Sequence, residues 1–349
     1  MLPNNKDQFR KDNQDLAYVP CDFCKSNKAR TLLSSKDYIF NKISGEFKIV
    51  KCSNCNLVYL NPRLKPGELY KYYSKVVNYG VPYNILDLNR KANTFFGLTF
   101  LTNFFNYPFG KKSKILKIIQ YPFYLRIRKR YKKTQFLPTY IEDGKILEIG
   151  CSYGNYLFIL KKIGWNVQGL ELNKESVDYA KRELNLDVVN QDINNFQPNE
   201  LFDIIYLRMV LEHMESPKTI LKKCYSWLKP NGKLVLIIPD FSGIEVNIYK
   251  KYAYTLHLPY HLYHFTPDTI KNFLRALNFK KIKIIHDNFD RDLLAPLNYV
   301  LREHPNNLIA NYTLKITTKK IIRRTFVKII VNVLSLLGKT SRMTVVAEK

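Results

Sequence analysis

The sequence predicts an α/β fold built on a doubly wound, mostly parallel sheet, and three observations support that prediction. First, an apolar strand pattern, KILEI, turns through two glycines into a helical pattern, YLFILKKIG. Second, a strand pattern, NVQGLEL, follows that helix and completes a strand–helix–strand unit. Third, more strand patterns recur downstream in DVVNQDI, FDIIYL and KLVLIIPD. Such sheets bind ligands outside the carboxyl ends of their strands, so we expect a crevice there.

The composition and net charge indicate which classes of binding partner are compatible with this chain. The chain has 349 residues, enough for one large domain with additions or for two domains. It carries 56 Lys and Arg against 29 Asp and Glu, which gives a net charge of +27. Nucleic acid, an anionic membrane surface and a phosphorylated substrate are all compatible with this excess. The polar start, MLPNNKDQFRKDNQ, lacks the apolar region of a secretory signal, so we expect a cytoplasmic protein.

Four of the six cysteines form two C-x2-C pairs near the beginning of the chain. In a reducing compartment this spacing favours metal binding over disulfides. Each pair can hold one side of a tetrahedral ion, and the segment YIFNKISGEFKIVK between them predicts two strands around a Ser-Gly turn. The pattern therefore predicts a zinc ribbon, which needs its metal to fold. The expected zinc ligands are Cys21, Cys24, Cys52 and Cys55.

The strand-to-helix turn predicts a nucleoside-like ligand. Gly150 permits the tight turn, and Gly154 lets the helix pack closely on the strand while a ligand approaches the backbone. The second strand ends in an acid, Glu171, where a ribose diol would be held. The dinucleotide fingerprint G-x-G-x-x-G is absent from this turn, so the pattern does not indicate a pyrophosphate. The alternative is an ordinary strand-to-helix turn whose acids cap helices or end loops.

Several motifs resemble one enzyme family. The arrangement E-x-G-x-S-x-G at residues 148–154 resembles motif I of class I S-adenosylmethionine-dependent methyltransferases, with serine in place of the more frequent middle glycine. The resemblance continues in FDIIYLRMVLEHMESP, LKPNGKLVLIIPD and HLYHFTPDTIKNFLRALNF, and covers residues 141–288 with the terminal strand RMTVVAEK. Upstream, CSNCNLVYLNPRLKPGELYKYY resembles the zinc-binding leader of bacterial methyltransferases often encoded with glycan-modifying enzymes.

The resemblance implies S-adenosylmethionine as cofactor and assigns roles in the crevice. The loop at residues 150–154 would carry the methionine moiety, Glu171 the ribose hydroxyls, and Asp192 with Ile193 the adenine edge. The cofactor-binding residues expected from the fold rule and the resemblance are Glu148, Gly150, Ser152, Gly154, Glu171, Leu172, Asp192, Ile193 and Arg208.

A hydroxyl acceptor would also need a base, and three histidines are candidates. His264 is the first choice, followed by His213 and His261. Histidine suits the role because its pKa lies near neutral pH, although a histidine in an aromatic-rich segment can simply pack or hydrogen-bond locally. Glu212 would orient one of the imidazoles or cap the helix that begins near Pro217.

Two segments outside the core carry much of the basic charge. Residues 92–133 combine an uncharged aromatic stretch with a basic stretch that contains no acid, and residues 315–338 alternate basic and apolar positions at helical spacing. Such patterns are typical of helices on an anionic membrane surface. The alternative is that both pack as a substrate lid. Asparagines, glycines and Pro108 argue against a membrane span.

The expected activity is methyl transfer to a small molecule, with O-methylation of a sugar, a nucleotide-linked sugar or a lipid-linked glycan intermediate favoured. C-methylation of a keto-sugar is a close variant. An RNA methyltransferase is the alternative that the basic charge allows, but nucleic acid is less expected because the basic residues accompany long apolar runs. A noncatalytic cofactor-binding protein is the third alternative, because a fold never proves chemistry.

The expected organisation has a core and additions. We expect a cytoplasmic protein, peripheral on the inner face of the membrane if the basic apolar segments bind it. The predicted units are a zinc-ribbon leader (1–75), a helical aromatic and basic linker or lid (76–140), a Rossmann-like methyltransferase core (141–288 plus 341–349) and a helical, basic and apolar insertion (289–340).

Overall fold

A computed structural model describes residues 16–65, 68, 95–131 and 137–349. The beginning of the predicted leader and the first part of the predicted aromatic linker lie outside the described residues. The strands, in chain order, are β1 (Leu16–Ala17), β2 (Ala29–Ser35), β3 (Phe47–Cys52), β4 (Val58–Leu60), β5 (Arg63–Leu64), β6 (Lys145–Ile149), β7 (Asn166–Glu171), β8 (Asp187–Asn190), β9 (Phe202–Arg208), β10 (Leu228–Pro239), β11 (Tyr263–His264), β12 (Lys280–His286) and β13 (Arg342–Glu348).

Helices alternate with these strands, and short helical turns at 211–213, 250–252 and 254–256 follow β9 and β10. A further short helix and a π-helical stretch occupy 320–327. The longer helices are α1 (Phe95–Phe105), α2 (Lys114–Tyr131), α3 (Asn155–Lys162), α4 (Lys174–Leu184), α5 (Pro217–Trp227), α6 (Ile244–Tyr249), α7 (Pro267–Ala276), α8 (Asp290–Glu303), α9 (Leu308–Thr318) and α10 (Lys328–Leu336).

A seven-stranded sheet forms the centre of the fold, in the order β12-β13-β10-β9-β6-β7-β8. The pairs from β8 through β10 are parallel, whereas β13 lies antiparallel between β10 and β12. The strand order reverses between β6 and β9, so a crevice forms at the carboxyl ends of these strands. The structure confirms the predicted doubly wound α/β fold.

The helices beside β6 and β7 show why the sequence folds this way. α3 begins after Gly154, whose φ of 74° is the left-handed conformation that glycine adopts freely. α4 is capped by Asn173, whose side chain accepts the backbone N–H of Ser176, and it ends at Asn185 in the left-handed conformation. Both helices bury the apolar face that their sequence spacing predicts. This packing places the two strand-to-helix loops at one edge of the sheet.

The leader forms a second sheet, and one prediction about it was wrong. The four-stranded sheet has the order β11-β4-β3-β2. The first strand lies at Ala29–Ser35, whereas the sequence pattern had placed it near Tyr38. The carboxylate of Asp37 accepts the backbone N–H groups of Phe40 and Lys42 at 2.9 Å each. These local bonds turn the chain after β2, because they satisfy donors that a strand would have used.

The leader and the core share their hydrophobic interior. β11, from the core part of the chain, pairs antiparallel with β4. The backbone N–H of Leu60 also donates to the carbonyl of Leu262 at 2.9 Å. One continuous cluster of buried apolar residues contains Cys21 and Tyr59 of the leader together with Phe265 of the core. The leader therefore packs as part of the fold, and the predicted domain boundaries stay predictions.

The additional helices pack differently from one another. Tyr107, just after α1, accepts a hydrogen bond from the indole of Trp165 at 2.9 Å, so the aromatic segment covers part of the core. The segment 290–336, which contains α8 to α10 and the short helical stretch at 320–327, precedes β13 and exposes large apolar side chains such as Leu308, Ile321 and Phe326. Among the described residues, no helix has both the length and the apolar character that crossing a membrane requires.

Candidate functional site

The loop between β6 and α3 forms the floor of the crevice, and its glycines are required by packing. A Cβ atom at Gly150 would lie 2.5 Å from Cγ2 of Val210, and one at Gly154 would lie 2.5 Å from Cδ1 of Leu186. Both glycines also have positive φ angles of 69° and 74°. Larger residues would push the loop outward, so the two glycines keep the backbone close to the strand ends.

The carboxylate of Glu171 fastens this loop to the end of β7. Its Oε2 accepts the backbone N–H of Ser152 at 2.9 Å, and its Oε1 accepts the backbone N–H of Asn173 at 2.9 Å. The side chain is only half-buried, so its remaining lone pairs face the crevice. A carboxylate at this position can accept hydrogen bonds from the hydroxyl groups of a bound ligand.

A buried ion pair lies deeper in the crevice. Nη1 of Arg208 donates to Oε1 of Glu148 at 3.1 Å, and its guanidinium also stacks 4.3 Å from the ring centre of Tyr156. Burial raises the pKa of Glu148 to about 7, although the charge of Arg208 opposes the rise. Oε2 of Glu148 and Nε of Arg208 are buried without a hydrogen-bond partner within the described ranges. A ligand that offers an amino group and an acceptor would satisfy both atoms.

The remaining predicted cofactor residues lie after β7 and β8. Asp192 accepts the backbone N–H of Asn194 at 2.6 Å, Ile193 is buried, and Leu172 is 46% exposed. The side-chain amide of Asn190 donates to the carbonyls of Glu171 and Leu172 at 3.0 and 2.8 Å, which ties the two strand ends together. The structure thus brings all nine predicted positions to the ends of β6 to β9 or to the loops that follow them.

Beyond β9, a cluster of histidines surrounds a buried acid. The ring centres of His213 and His261 lie 4.6 Å apart, and Nε2 of His261 lies 3.9 Å from Oε1 of Glu212. Nδ1 of His257 lies 3.3 Å from Nε2 of His261. The backbone N–H of Leu262 donates to the carbonyl of Glu212 at 2.8 Å and joins the two segments that carry the cluster.

Burial changes the ionisation of this cluster. It raises the pKa of Glu212 to about 8 and lowers the pKa of His213 to about 4, although a backbone hydrogen bond of His213 opposes that drop. It also lowers the pKa values of His257 and His264 to about 3. All three imidazoles are therefore neutral at neutral pH. Nε2 of His264 is buried without a hydrogen-bond partner in the described part of the chain.

The sequence did not predict one histidine of this cluster, and it suggested the wrong residue as the cap of α5. His257 was not a candidate, although the repeated spacing of histidines in HLPYHLYH could have indicated it. Glu212 does not cap the helix that begins at Pro217. That helix, α5, is capped instead by Asp22 of the leader, whose Oδ2 accepts the backbone N–H of Lys218 at 2.8 Å. No local pattern could indicate a cap that comes from so far along the chain.

The four leader cysteines form a compact cluster. Their Sγ atoms all lie within 4.8 Å of one another. The closest pairs are Cys21 with Cys55 at 3.4 Å and Cys24 with Cys52 at 3.5 Å, well beyond the length of a disulfide. Four thiol groups at this spacing fit the ligand set of a tetrahedral metal ion.

Comparisons with known proteins agree with this geometry. Residues 124–284 match a family model described as a methyltransferase domain. Over 136 residues the chain is 32% identical to a ubiquinone biosynthesis O-methyltransferase of Coxiella burnetii, an alignment that covers 37% of this chain and 54% of that protein. It is 28% identical over 157 residues to a phosphoethanolamine N-methyltransferase of Plasmodium falciparum, covering 40% of this chain and 55% of that protein. The chain thus spans about half the length of these curated relatives.

Two solved structures align with this chain at low sequence identity. A SAM-dependent methyltransferase from Archaeoglobus fulgidus aligns with a TM-score of 0.40 and 18% identity, over 72% of this chain and 98% of that chain. One from Thermotoga maritima, described as a possible histamine N-methyltransferase, aligns with a TM-score of 0.42 and 17% identity, over 67% of this chain and 96% of that chain.

Proposed function

We propose that this chain, whose residues 124–284 form a class I S-adenosylmethionine-dependent methyltransferase domain, transfers a methyl group to a small-molecule acceptor. One observation carries the proposal: the matched residues contain the crevice where Glu148 and Arg208 leave buried polar atoms without partners. These atoms fit the amino and carboxylate groups of a methionine moiety.

Different residues of the crevice would bind different parts of the cofactor. When bound, S-adenosylmethionine supplies an activated methyl group on a sulfonium. We place the methionine moiety over the loop at 150–154, the ribose hydroxyls on Glu171 and the adenine edge at Asp192 and Ile193. The half-buried carboxylate of Glu171 supports its role, because it already holds the loop with two backbone hydrogen bonds and keeps further lone pairs.

For a hydroxyl acceptor we propose His264 as the base. The acceptor oxygen forms a bond to the methyl carbon as the carbon–sulfur bond breaks, and its proton passes to a neutral imidazole. Nε2 of His264 has no hydrogen-bond partner among the residues that the structure describes, whereas His213 and His261 use Nδ1 on backbone carbonyls. Because His264 is buried, the acceptor would have to enter beside the leader strand β4.

We further propose a sugar, a nucleotide-linked sugar or a lipid-linked glycan as the acceptor, with O-methylation as the reaction. The relatives include a ubiquinone biosynthesis O-methyltransferase and a phosphoethanolamine N-methyltransferase, and both names specify small molecules. The resemblance of the leader to those of glycan-associated methyltransferases supports a sugar.

We propose that the four leader cysteines hold a structural zinc ion. The four ligands come from two turns that flank β2 and β3, so the ion would join both ends of the leader sheet. Closed four-cysteine sites of this kind stabilise folds and leave no position for a substrate.

We also propose that residues 315–338 bind an anionic membrane surface. Ile321 is 77% exposed and Phe326 is 67% exposed, and exposed basic residues such as Lys315 and Lys319 accompany them. Such a surface buries apolar groups while each basic residue adds about 1 kcal/mol. Sedimentation with vesicles containing phosphatidylserine tests this. Phe326→Ser should reduce binding and Leu32→Ser, on the leader, should not; an unbound wild type would refute the proposal.

Calorimetric titration with S-adenosylmethionine tests the central proposal. Wild-type chain should bind, and Glu171→Ala should weaken binding by at least about tenfold because the ribose hydroxyls lose their acceptor. The matched control is Glu175→Ala, an exposed glutamate in the first turn of α4, which should bind normally. A folded wild type that does not bind the cofactor would refute methyl transfer.

A further inference from the structure

One exposed face of α8 borders a cavity that carries two arginines. The cavity has a volume of about 570 Å³ and is lined by Arg291, Ala295, Asn298, Tyr299, Leu301 and Arg302. The first, second, third and last of these residues are spaced at helical intervals, so they follow one face of α8. The small side chain of Ala295 leaves space between the two arginines. We call this cavity the α8 groove.

The positive charge of the α8 groove is not neutralised by the acids of the same helix. Asp290 pairs with Arg323 at 2.8 Å, and Asp292 pairs with Arg342 at 2.6 Å. The third acid, Glu303, accepts hydrogen bonds from tyrosines and lysines of other segments. Within the described ranges, neither arginine of the groove therefore has a carboxylate partner.

Aromatic rings hold both guanidinium groups in place and leave most of their hydrogen-bond donors available. The guanidinium of Arg291 lies 4.8 Å from the ring centre of Tyr254, and that of Arg302 lies 5.4 Å from the ring centre of Tyr299. Nη1 of Arg302 donates to the carbonyl of Tyr38 at 2.7 Å. A guanidinium has five N–H donors, so each arginine keeps donors for a ligand.

The α8 groove lies next to the histidine cluster. Tyr254, which stacks on Arg291, belongs to the helical turn 254–256, and His257 follows that turn directly. Burial, together with nearby charges that include Arg291, lowers the pKa of His257 to about 3. Nδ1 of His257 in turn lies 3.3 Å from Nε2 of His261. A ligand group held by Arg291 would therefore be close to the side of the crevice where we place the acceptor.

We propose that the α8 groove binds the diphosphate group of the acceptor through Arg291 and Arg302. Arginine suits this role because its planar fork can donate two parallel hydrogen bonds to one phosphate. The inference rests on the proposed function, and it restricts the acceptor to a sugar that carries a diphosphate. Nucleotide-linked sugars and lipid-linked glycans share this group. The groove lies outside the matched residues 124–284, so it would be an addition to the methyltransferase domain.

Calorimetric titration of the full chain with inorganic pyrophosphate tests the groove. Wild-type chain should bind, and Arg291→Gln should weaken binding at least about tenfold because charge-assisted hydrogen bonds are lost. Arg291→Lys should keep part of the affinity, because it keeps the charge. Ala295→Glu leaves both arginines in place but adds an acid between them, so it should weaken binding to a similar extent. The matched control is Arg275→Gln, which removes an exposed arginine of α7 and should bind as wild type does.

Two further probes distinguish the sources of the diphosphate. Displacement of pyrophosphate by a uridine diphosphate sugar would support a nucleotide-linked acceptor. Displacement by a polyprenyl diphosphate in detergent micelles would support a lipid-linked acceptor. If neither compound displaces pyrophosphate, the groove does not bind the diphosphate of an acceptor and the inference is overturned.

The outcomes separate this inference from the proposed function. A wild type that binds S-adenosylmethionine but not pyrophosphate would overturn only the groove. Equal losses in Arg291→Gln and Arg275→Gln would also overturn it, because the net positive charge of the chain would then explain the binding. A wild type that binds pyrophosphate through Arg291 but does not bind S-adenosylmethionine would support the groove and refute methyl transfer. An unchanged melting temperature shows that the variants fold.

Discussion

The carboxylate of Asp22 accepts the backbone N–H of Lys218 at 2.8 Å, so a residue between two leader cysteines caps a helix of the core. Its other oxygen accepts the hydroxyl of Ser216 at 2.8 Å, and Lys218 in turn donates to the carbonyl of Phe23 at 2.9 Å. Asp22 is 5% exposed, so water cannot replace these bonds. The stability of α5 therefore depends on the leader.

We expect Asp22→Ala to lower the free energy of unfolding by about 1 kcal/mol or more, because α5 loses its cap. Urea denaturation followed by circular dichroism measures the change. The control is Asp268→Ala, an exposed aspartate in the first turn of α7, whose cap is Thr266. Equal effects of the two substitutions would show that the hydrogen bond between Asp22 of the leader and Lys218 of the core does not contribute to the free energy of unfolding.

Removal of the proposed leader metal should destabilise the core as well as the leader. The two share one hydrophobic cluster and the β4–β11 pairing, so a chelator should lower the melting temperature of the whole chain. In protein produced with Co²⁺ in place of zinc, Cys24→Ser should weaken the thiolate-to-cobalt absorption band because one of the four thiolates is lost, and Cys224→Ser, buried in α5, should leave the band unchanged. A melting temperature that chelation leaves unchanged would contradict the coupling.

Gly154→Ala should lower stability by more than about 1 kcal/mol and weaken cofactor binding. The new Cβ would have a positive φ and would lie 2.5 Å from Leu186, which is buried. Gly338→Ala is the matched control, because it has a similar φ of 68° but meets its nearest neighbour at an ordinary 3.5 Å. The difference between the two variants isolates the clash. If Gly338→Ala is equally costly, backbone conformation alone explains the effect.

The acid Glu303 should make the contact between leader and α8 sensitive to low pH. Burial alone would raise the pKa of this carboxyl, but four hydrogen bonds outweigh it and hold the pKa well below the usual range. Because the folded state depresses the pKa, the contribution to stability is present above the ordinary value near 4.5 and is lost as the pH falls below it. The donors are Tyr38, Tyr252, Lys251 and Lys36.

Glu303→Gln measures this contribution. The free energies of unfolding of wild type and variant should differ at pH 7 and converge as the pH falls from about 5 towards 2. Asp268→Asn, an exposed acid for which no such donors are present among the described contacts, serves as the control for general acid effects. A difference that stays constant over this range would mean that the charge of Glu303 is not involved.

The sequence predicted the central sheet because its signals are local. The apolar strands, the turn at Gly150 and Gly154, and the acid Glu171 at the end of a strand all lie within one strand–helix–strand unit. In such a unit, the secondary-structure propensities of the residues, the periodicity of the apolar positions and the order of the elements along the chain all indicate the same structure. The choice of the nine cofactor candidates at one edge followed from that order together with the family resemblance.

What could not be predicted depends on residues that are far apart in the chain. The Asp22 cap joins positions separated by most of the molecule, and the Glu212 cluster depends on a backbone bond between Leu262 and Glu212. The misplaced leader strand had a different cause. The apolar pattern near Tyr38 favours a strand. The side chain of Asp37 instead accepts hydrogen bonds from nearby backbone N–H groups, so the chain forms a turn there.

The pairing of β11 with β4 also constrains how the sequence of this protein can evolve. Leu262, between two histidines of the cluster, is bonded through its carbonyl to Leu60 and through its N–H to Glu212. A recombination event that replaced the leader alone would bring in a strand whose register and side chains had never been matched to this segment. We therefore expect the two stretches to be inherited together, and insertions in one to be accompanied by changes in the other.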